Sequence, residues 1–157
     1  MSAPLRPASV RFQRGIAAIE FAVILPVLLG LMAFSLFFGR VCWHYSAAQK
    51  AAHDASRFLS SVPPVEWRTP TRAANVVLVA RAIAEQEVAD LNPGPYAPVI
   101  TVACDAITCD GFSAPATISV TVRVAMFDER FYNFTNEKLG ETPLALTATT
   151  SMRYVGR

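Results

Sequence analysis

The chain has 157 residues, 53% of them hydrophobic, with a formal net charge of +2, and its mean hydropathy of +0.35 is high for a soluble protein. With charge this close to balance the sequence offers no basic patch, which argues against a nucleic-acid partner. Setting aside the first 15 residues and one long helix leaves about 95 residues, enough for one small domain with a modest core.

Residues 1–14 carry two prolines and three arginines (Arg6, Arg11, Arg14), no acid and no periodicity, and are expected to be disordered. They are not followed by the small-residue cleavage site of an ordinary signal peptide, and the apolar run behind them is too long for one. Without those arginines the net charge of +2 becomes about −1. From Ile16 to Phe38 the only charged residue is Glu20. At about 1.5 Å rise per residue this stretch spans roughly 34 Å as a helix, enough for a bilayer core of about 30 Å. A carboxylate inside such a span costs on the order of 2.5–3.5 kcal/mol at the centre and less near an interface. An anchor alone does not need it, so Glu20 reads as functional. The bland alternative is an uncleaved anchor whose glutamate snorkels at the cytoplasmic interface. The arginine flank keeps the N-terminus cytoplasmic and sends the rest of the chain outside.

Pro26 sits inside this span, where membrane helices tolerate a kink. Gly30, Ala33 and Gly39 could let helices approach closely, although small residues are common in such spans. Trp43 and Tyr45 fit an aromatic belt at the outer interface. Ser46 to Leu59 is alanine-rich and free of glycine and proline, so the helix is expected to continue to about Leu59, where Pro63-Pro64 stops it. A second helix is predicted from Thr71 to Leu91, with Val77, Ala80, Ala84, Val88 and Leu91 on one face opposite Arg81, Glu85 and Gln86. Asn92-Pro93-Gly94-Pro95 ends it.

Beyond it the period changes to two. Val99–Ala103 reads as a short strand. Thr117–Met126 alternates strictly, with Ile118, Val120, Val122, Val124 and Met126 on one face. Leu144 to Tyr154 is a weaker third alternation, with Leu146, Ala148 and Met152 inward. An aromatic loop at 127–134 is expected to pack over a sheet edge or the helix. The fold class is therefore α+β: a long N-terminal transmembrane and stalk helix, a second helix, and a small antiparallel sheet of about three strands. The expected segments are a leader at 1–15, a transmembrane and extended helix at 16–60, and an α+β domain at 61–157.

Cys104 and Cys109 flank four residues just after a strand. On the oxidising side of a membrane a loop-tip disulfide is the expectation, with two free thiols as the alternative. The lack of a nearby histidine or further cysteine argues against a metal there. Cys42 is left over, with burial as the default and lipid-facing or intermolecular placement also open. His44 and His53 would lie roughly 13–14 Å apart along one helix and cannot share a metal. Cys42 and His44 do not face each other on a helix, so they do not make a nucleophile and base. Asp128-Glu129-Arg130 reads as a solvated turn. The sequence has no P-loop, glycine-rich phosphate cradle or nucleophile elbow. Neither an enzyme nor a cofactor is expected.

The stretch from Gly15 through Glu20-Phe21, Leu25-Pro26 and Gly39-Arg40 to Arg57 resembles the TadE-like family, minor pseudopilins of the Flp or tight-adherence (Tad) pilus system. The Gly-x-x-x-x-Glu-Phe element alone is shared by all type IV pilin-like proteins; the set together is more specific. The resemblance implies a pilin-like fold in a bacterial inner membrane, with the C-terminal domain periplasmic. It also implies cleavage between Gly15 and Ile16 by a prepilin peptidase. The new Ile16 amine of one subunit could then pair with Glu20 of a neighbour, offsetting the cost of the buried carboxylate. The implied partners are the peptidase, other pilins and pseudopilins, inner-membrane assembly proteins and the lipid bilayer. Major pilins of that system have almost nothing after the first helix, so the further domain here points to a minor component. An unprocessed membrane scaffold and a tethered periplasmic binding module are the alternatives.

Overall fold

An apolar span followed by an alanine-rich stretch leads to the Pro63-Pro64 stop, and in the computed structural model the two form one helix, α1, at Gln13–Ser61, with Pro26 inside it. The structure describes residues 13–91, 96–126 and 144–156. The leader before residue 13, the terminator at 92–95, and the aromatic loop with its Asp128-Glu129-Arg130 turn lie outside them. A 3-10 turn at Pro64–Trp67 follows α1. The second helix, α2, runs Pro70–Val88 and tightens into a 3-10 turn at Ala89–Leu91. It begins one residue before the expected start, because Pro70 occupies the first helical turn after Thr69. A proline there gives up only an amide that would have no intrahelical partner.

Three strands complete the chain: β1 at Val99–Cys104, β2 at Thr117–Met126 and β3 at Leu144–Arg153. They form one antiparallel sheet in the order β1-β2-β3. Val102 lies opposite Val120, while Val122 and Val124 lie opposite Ala148 and Leu146. The period-two pattern is realised on β2, where Ile118, Val120, Val122 and Val124 are fully buried. On β3 only Ala148 is buried, and Leu146 and Met152 are half-buried. Edge position alone does not explain the difference, since β1 is the other edge and buries Ile100, Val102 and Cys104; the shared core lies over β1 and β2 and reaches β3 only at Ala148.

The chain divides into two units, residues 1–40 and 41–157. In the first, every large apolar side chain from Ile19 to Phe38 except Phe37 is exposed, by 37–69%. The apolar window of α1 is 0% buried, and α1 is long and apolar enough to cross a membrane. Left in water, each such side chain would forgo about 1.5–3 kcal/mol of burial. A single-pass membrane anchor fits this helix.

The second unit takes in roughly the last six turns of α1, from Val41 to Ser61. There His44, Ala48, Ala51, Ala52, Ala55, Ser56 and Leu59 are buried at three- and four-residue spacing, while Gln49, Lys50, His53 and Arg57 face solvent. Small alanines along this stripe let the helix backbone lie close to its neighbours. They share one core with Ala73, Ala80, Ala84, Val88 and Leu91 of α2 and its terminal turn, and with the inward residues of β1 and β2. Ala73 belongs to this face of α2, and Val77 only packs against its margin. Two polar contacts tie α1 to α2. Lys50 Nζ donates to the Glu87 carboxylate, and His44 Nε2–H donates to the Leu91 carbonyl at 3.1 Å.

Candidate functional site: the N-terminal helix

The candidate segment is helical in place, since α1 starts at Gln13 and includes Gly15, Ile16, Glu20 and Phe21. Glu20 is exposed on an otherwise apolar surface with Ile19 (69% exposed) and Phe21 (59% exposed) beside it. Among the described side chains, which begin at Ala17, no cation lies within ion-pairing distance of it. A charge at this place in a membrane is costly until a cation reaches it.

Further along, α1 continues through Pro26. The proline has no N–H to offer, so the carbonyl one turn earlier loses its intrahelical partner and the helix is softened there. Ser35 Oγ donates back to the Leu31 carbonyl at 2.9 Å, so this hydroxyl is satisfied inside the apolar span. Phe34 and Phe38 stack at 5.9 Å between centroids. Gly30 and Gly39 face open space, with nothing within 4 Å of where a Cβ would stand.

At the start of the second unit Trp43 and Tyr45 are exposed, by 59% and 43%. Cys42 is exposed as well, which corrects the default expectation of burial. The buried stripe of α1 runs through His44 and Ala48, and a residue two positions before His44 falls on the other side of the helix. His44 itself is 1% exposed. Its isolated place in the sequence gave no sign of the carbonyl it serves 47 residues away.

Cys104 and Cys109 are joined by a disulfide. The loop it closes begins with a two-residue turn, in which Cys104 and Ile107 exchange backbone hydrogen bonds of 2.8 and 3.0 Å. Asp105 and Ala106 occupy the turn at φ 51° and 67°. The Asp105 carboxylate accepts from the amides of Ala116 and Thr117, the latter at 2.7 Å, and so ties the loop to the start of β2. Sequence reasoning passed over Asp105, since an aspartate just after a cysteine carries no distinct signal. Among the described residues no group of three His, Cys, Asp or Glu side chains is placed to hold a metal.

The apolar span and the stretch of α1 behind it are similar to a known protein family. Residues 15–57 match the family described as TadE-like protein. The likeness covers 43 of the 157 residues and is a similarity of this region alone. The family is associated with the Tad pilus, and the TadE-like match begins at Gly15, includes Glu20 and Pro26, and ends at Arg57 within α1. Neither the curated proteins nor the solved structures provide a match to the chain.

Proposed function

We propose that this chain is a minor pseudopilin that takes part in building a Tad-type adhesive pilus, after prepilin-peptidase processing between Gly15 and Ile16. The observation that carries the reading is Glu20, the one charge in the apolar stretch from Ile16 to Phe38, five residues after the glycine at which the TadE-like match begins.

Each step has a physical basis. The leader arginines hold the N-terminus in the cytoplasm, where the peptidase acts. A glycine at the cleavage position lets the scissile backbone enter a tight active site. Cleavage creates an ammonium at Ile16, and a neighbouring subunit can bring this cation to the Glu20 carboxylate inside the bilayer or the filament. The pair then sets register between subunits. Phe21 and the exposed apolar surface supply contact with lipid or with neighbouring helices. The chain sits in the inner membrane with residues beyond α1's apolar span in the periplasm, where the Cys104–Cys109 disulfide persists. Its role is structural and non-enzymatic, and its partners are the peptidase, other pilins and pseudopilins, and inner-membrane assembly proteins.

Gly15→Leu tests this reading. Cells carrying it should accumulate full-length chain and lose surface pili and attachment. If piliation and attachment survive with the leader uncleaved, the chain is a permanent membrane scaffold instead.

A further inference from the structure

The last turn of an α-helix leaves carbonyls without intrahelical partners. At the end of α1 these are met by residues more than ninety positions away. Tyr154 Oη donates to the Val62 carbonyl at 2.6 Å, and the Val155 and Gly156 amides approach the Ser60 carbonyl at 3.3 and 3.4 Å. The Tyr154 ring meets Trp67 edge-on, with centroids 6.3 Å apart. Trp67 is 1% exposed, and its indole N–H has no hydrogen-bond partner of normal geometry. Gly156 closes the set at φ +36°, where a Cβ would stand 2.6 Å from the Tyr154 ring. Only glycine allows the chain to fold back over that ring.

This cluster lies beyond the ladder of the sheet, whose last pair is Thr117 with Arg153. Tyr154 stays attached to the sheet through its own amide, which donates to the Ala116 carbonyl at 3.0 Å. We propose that Tyr154–Gly156 form a clasp that holds the C-terminal end of α1 and the Pro64–Trp67 turn shut, and that the clasp opens without unfolding the sheet. Opening breaks the contacts to Val62 and Ser60 and the ring contact with Trp67, and leaves every β2–β3 pair in place. It uncovers Trp67, Val62 and Leu59, all buried when it is closed. The end of α1 and the joint to α2 thus form a local opening unit of lower stability than the strands. The polar contacts concentrate in the Tyr154 hydroxyl, because the two amide contacts are long.

Hydrogen exchange of the full chain in detergent micelles, read by mass spectrometry, tests the clasp. Tyr154→Phe keeps the ring contact and removes one hydrogen bond. Gly156→Ala keeps the hydroxyl and forces the backbone off the ring. In both variants the amides of Val62, Glu66 and Arg68, each bonded within 59–68, should exchange roughly tenfold faster, with β2 unchanged. Unchanged exchange at 59–68 in either variant overturns the proposal. So does equal acceleration at 59–68 and in β2, since that reports global destabilisation.

Discussion

Cys109→Ser, in a Cys42→Ser background that prevents thiol exchange, isolates the contribution of the loop disulfide. Cys104 is 7% exposed and stays in the core, while Cys109 is half-buried and receives a near-isosteric hydroxyl. The bond closes a loop with a sequence separation of 5. The loop-closure entropy of so short a loop is worth about 2 kcal/mol. The folded unit has roughly 115 residues, and at about 2.1 cal/mol/K per residue its unfolding entropy is about 0.24 kcal/mol/K, so the loss lowers Tm by about 8 °C. The turn at Asp105-Ala106 and the Asp105 carboxylate remain, so the sheet should still form. A tryptophan-fluorescence melt of the full chain in micelles reads the shift, and reduced Cys42→Ser protein should reproduce it. A midpoint within about 2 °C of the oxidised parent would refute the reasoning, because loop closure would then contribute little.

Four further outcomes are expected. Gly111 sits at φ +75° with a Cβ position 2.7 Å from the Pro70 backbone, so Gly111→Ala should cost about 3 kcal/mol or more in urea unfolding. Ala106 holds φ 67°, and Ala106→Gly should raise stability by about 1 kcal/mol in the same assay. Burial raises the Tyr154 hydroxyl above its ordinary value of 10.0, with the nearby Trp67 N–H pulling the other way, and the Glu87 hydrogen bond raises Lys50 above 10.5 despite partial desolvation. Both groups hold their protons more tightly when folded, so stability is full below about pH 10 and falls as pH rises through the folded values; a pH series of melts should show the drop, smaller in Tyr154→Phe. Glu20→Leu should insert in the membrane at least as well as the parent and yet abolish pilus assembly, checked by membrane fractionation beside a count of sheared pili.

The elements that were legible in the sequence are those whose periodicity is set by a complete environment. β2 is covered on one face along its whole length, so its alternation from Thr117 to Met126 matches the strand end to end. At the edge, β3 shows the same period with weaker burial, and its inward Leu146 and Met152 remain half-exposed. The reach of α1 was read from alanine propensity and the Pro63-Pro64 stop, and the helix ends two residues beyond the expected Leu59, at Ser61. Contacts that depend on distant partners were not legible. His44 with Leu91, Tyr154 with Val62, and Asp105 with the start of β2 join positions whose local sequence has no reason to name each other. Ala73 was missed because alanine counts as neutral in a hydrophobic pattern, although a fully buried alanine lets α2 approach its neighbours. At the candidate site, Glu20 was legible because a lone charge in an apolar span is conspicuous without any knowledge of the fold.

The processing step at the head of α1 is tested most directly by the intact mass and N-terminal sequence of the chain, recovered from membranes and sheared surface fractions of cells that hold the cognate peptidase. The account predicts a mature chain that begins at Ile16, with Glu20 as its fifth residue. A steady-state chain that retains Arg14-Gly15 in those cells would contradict it.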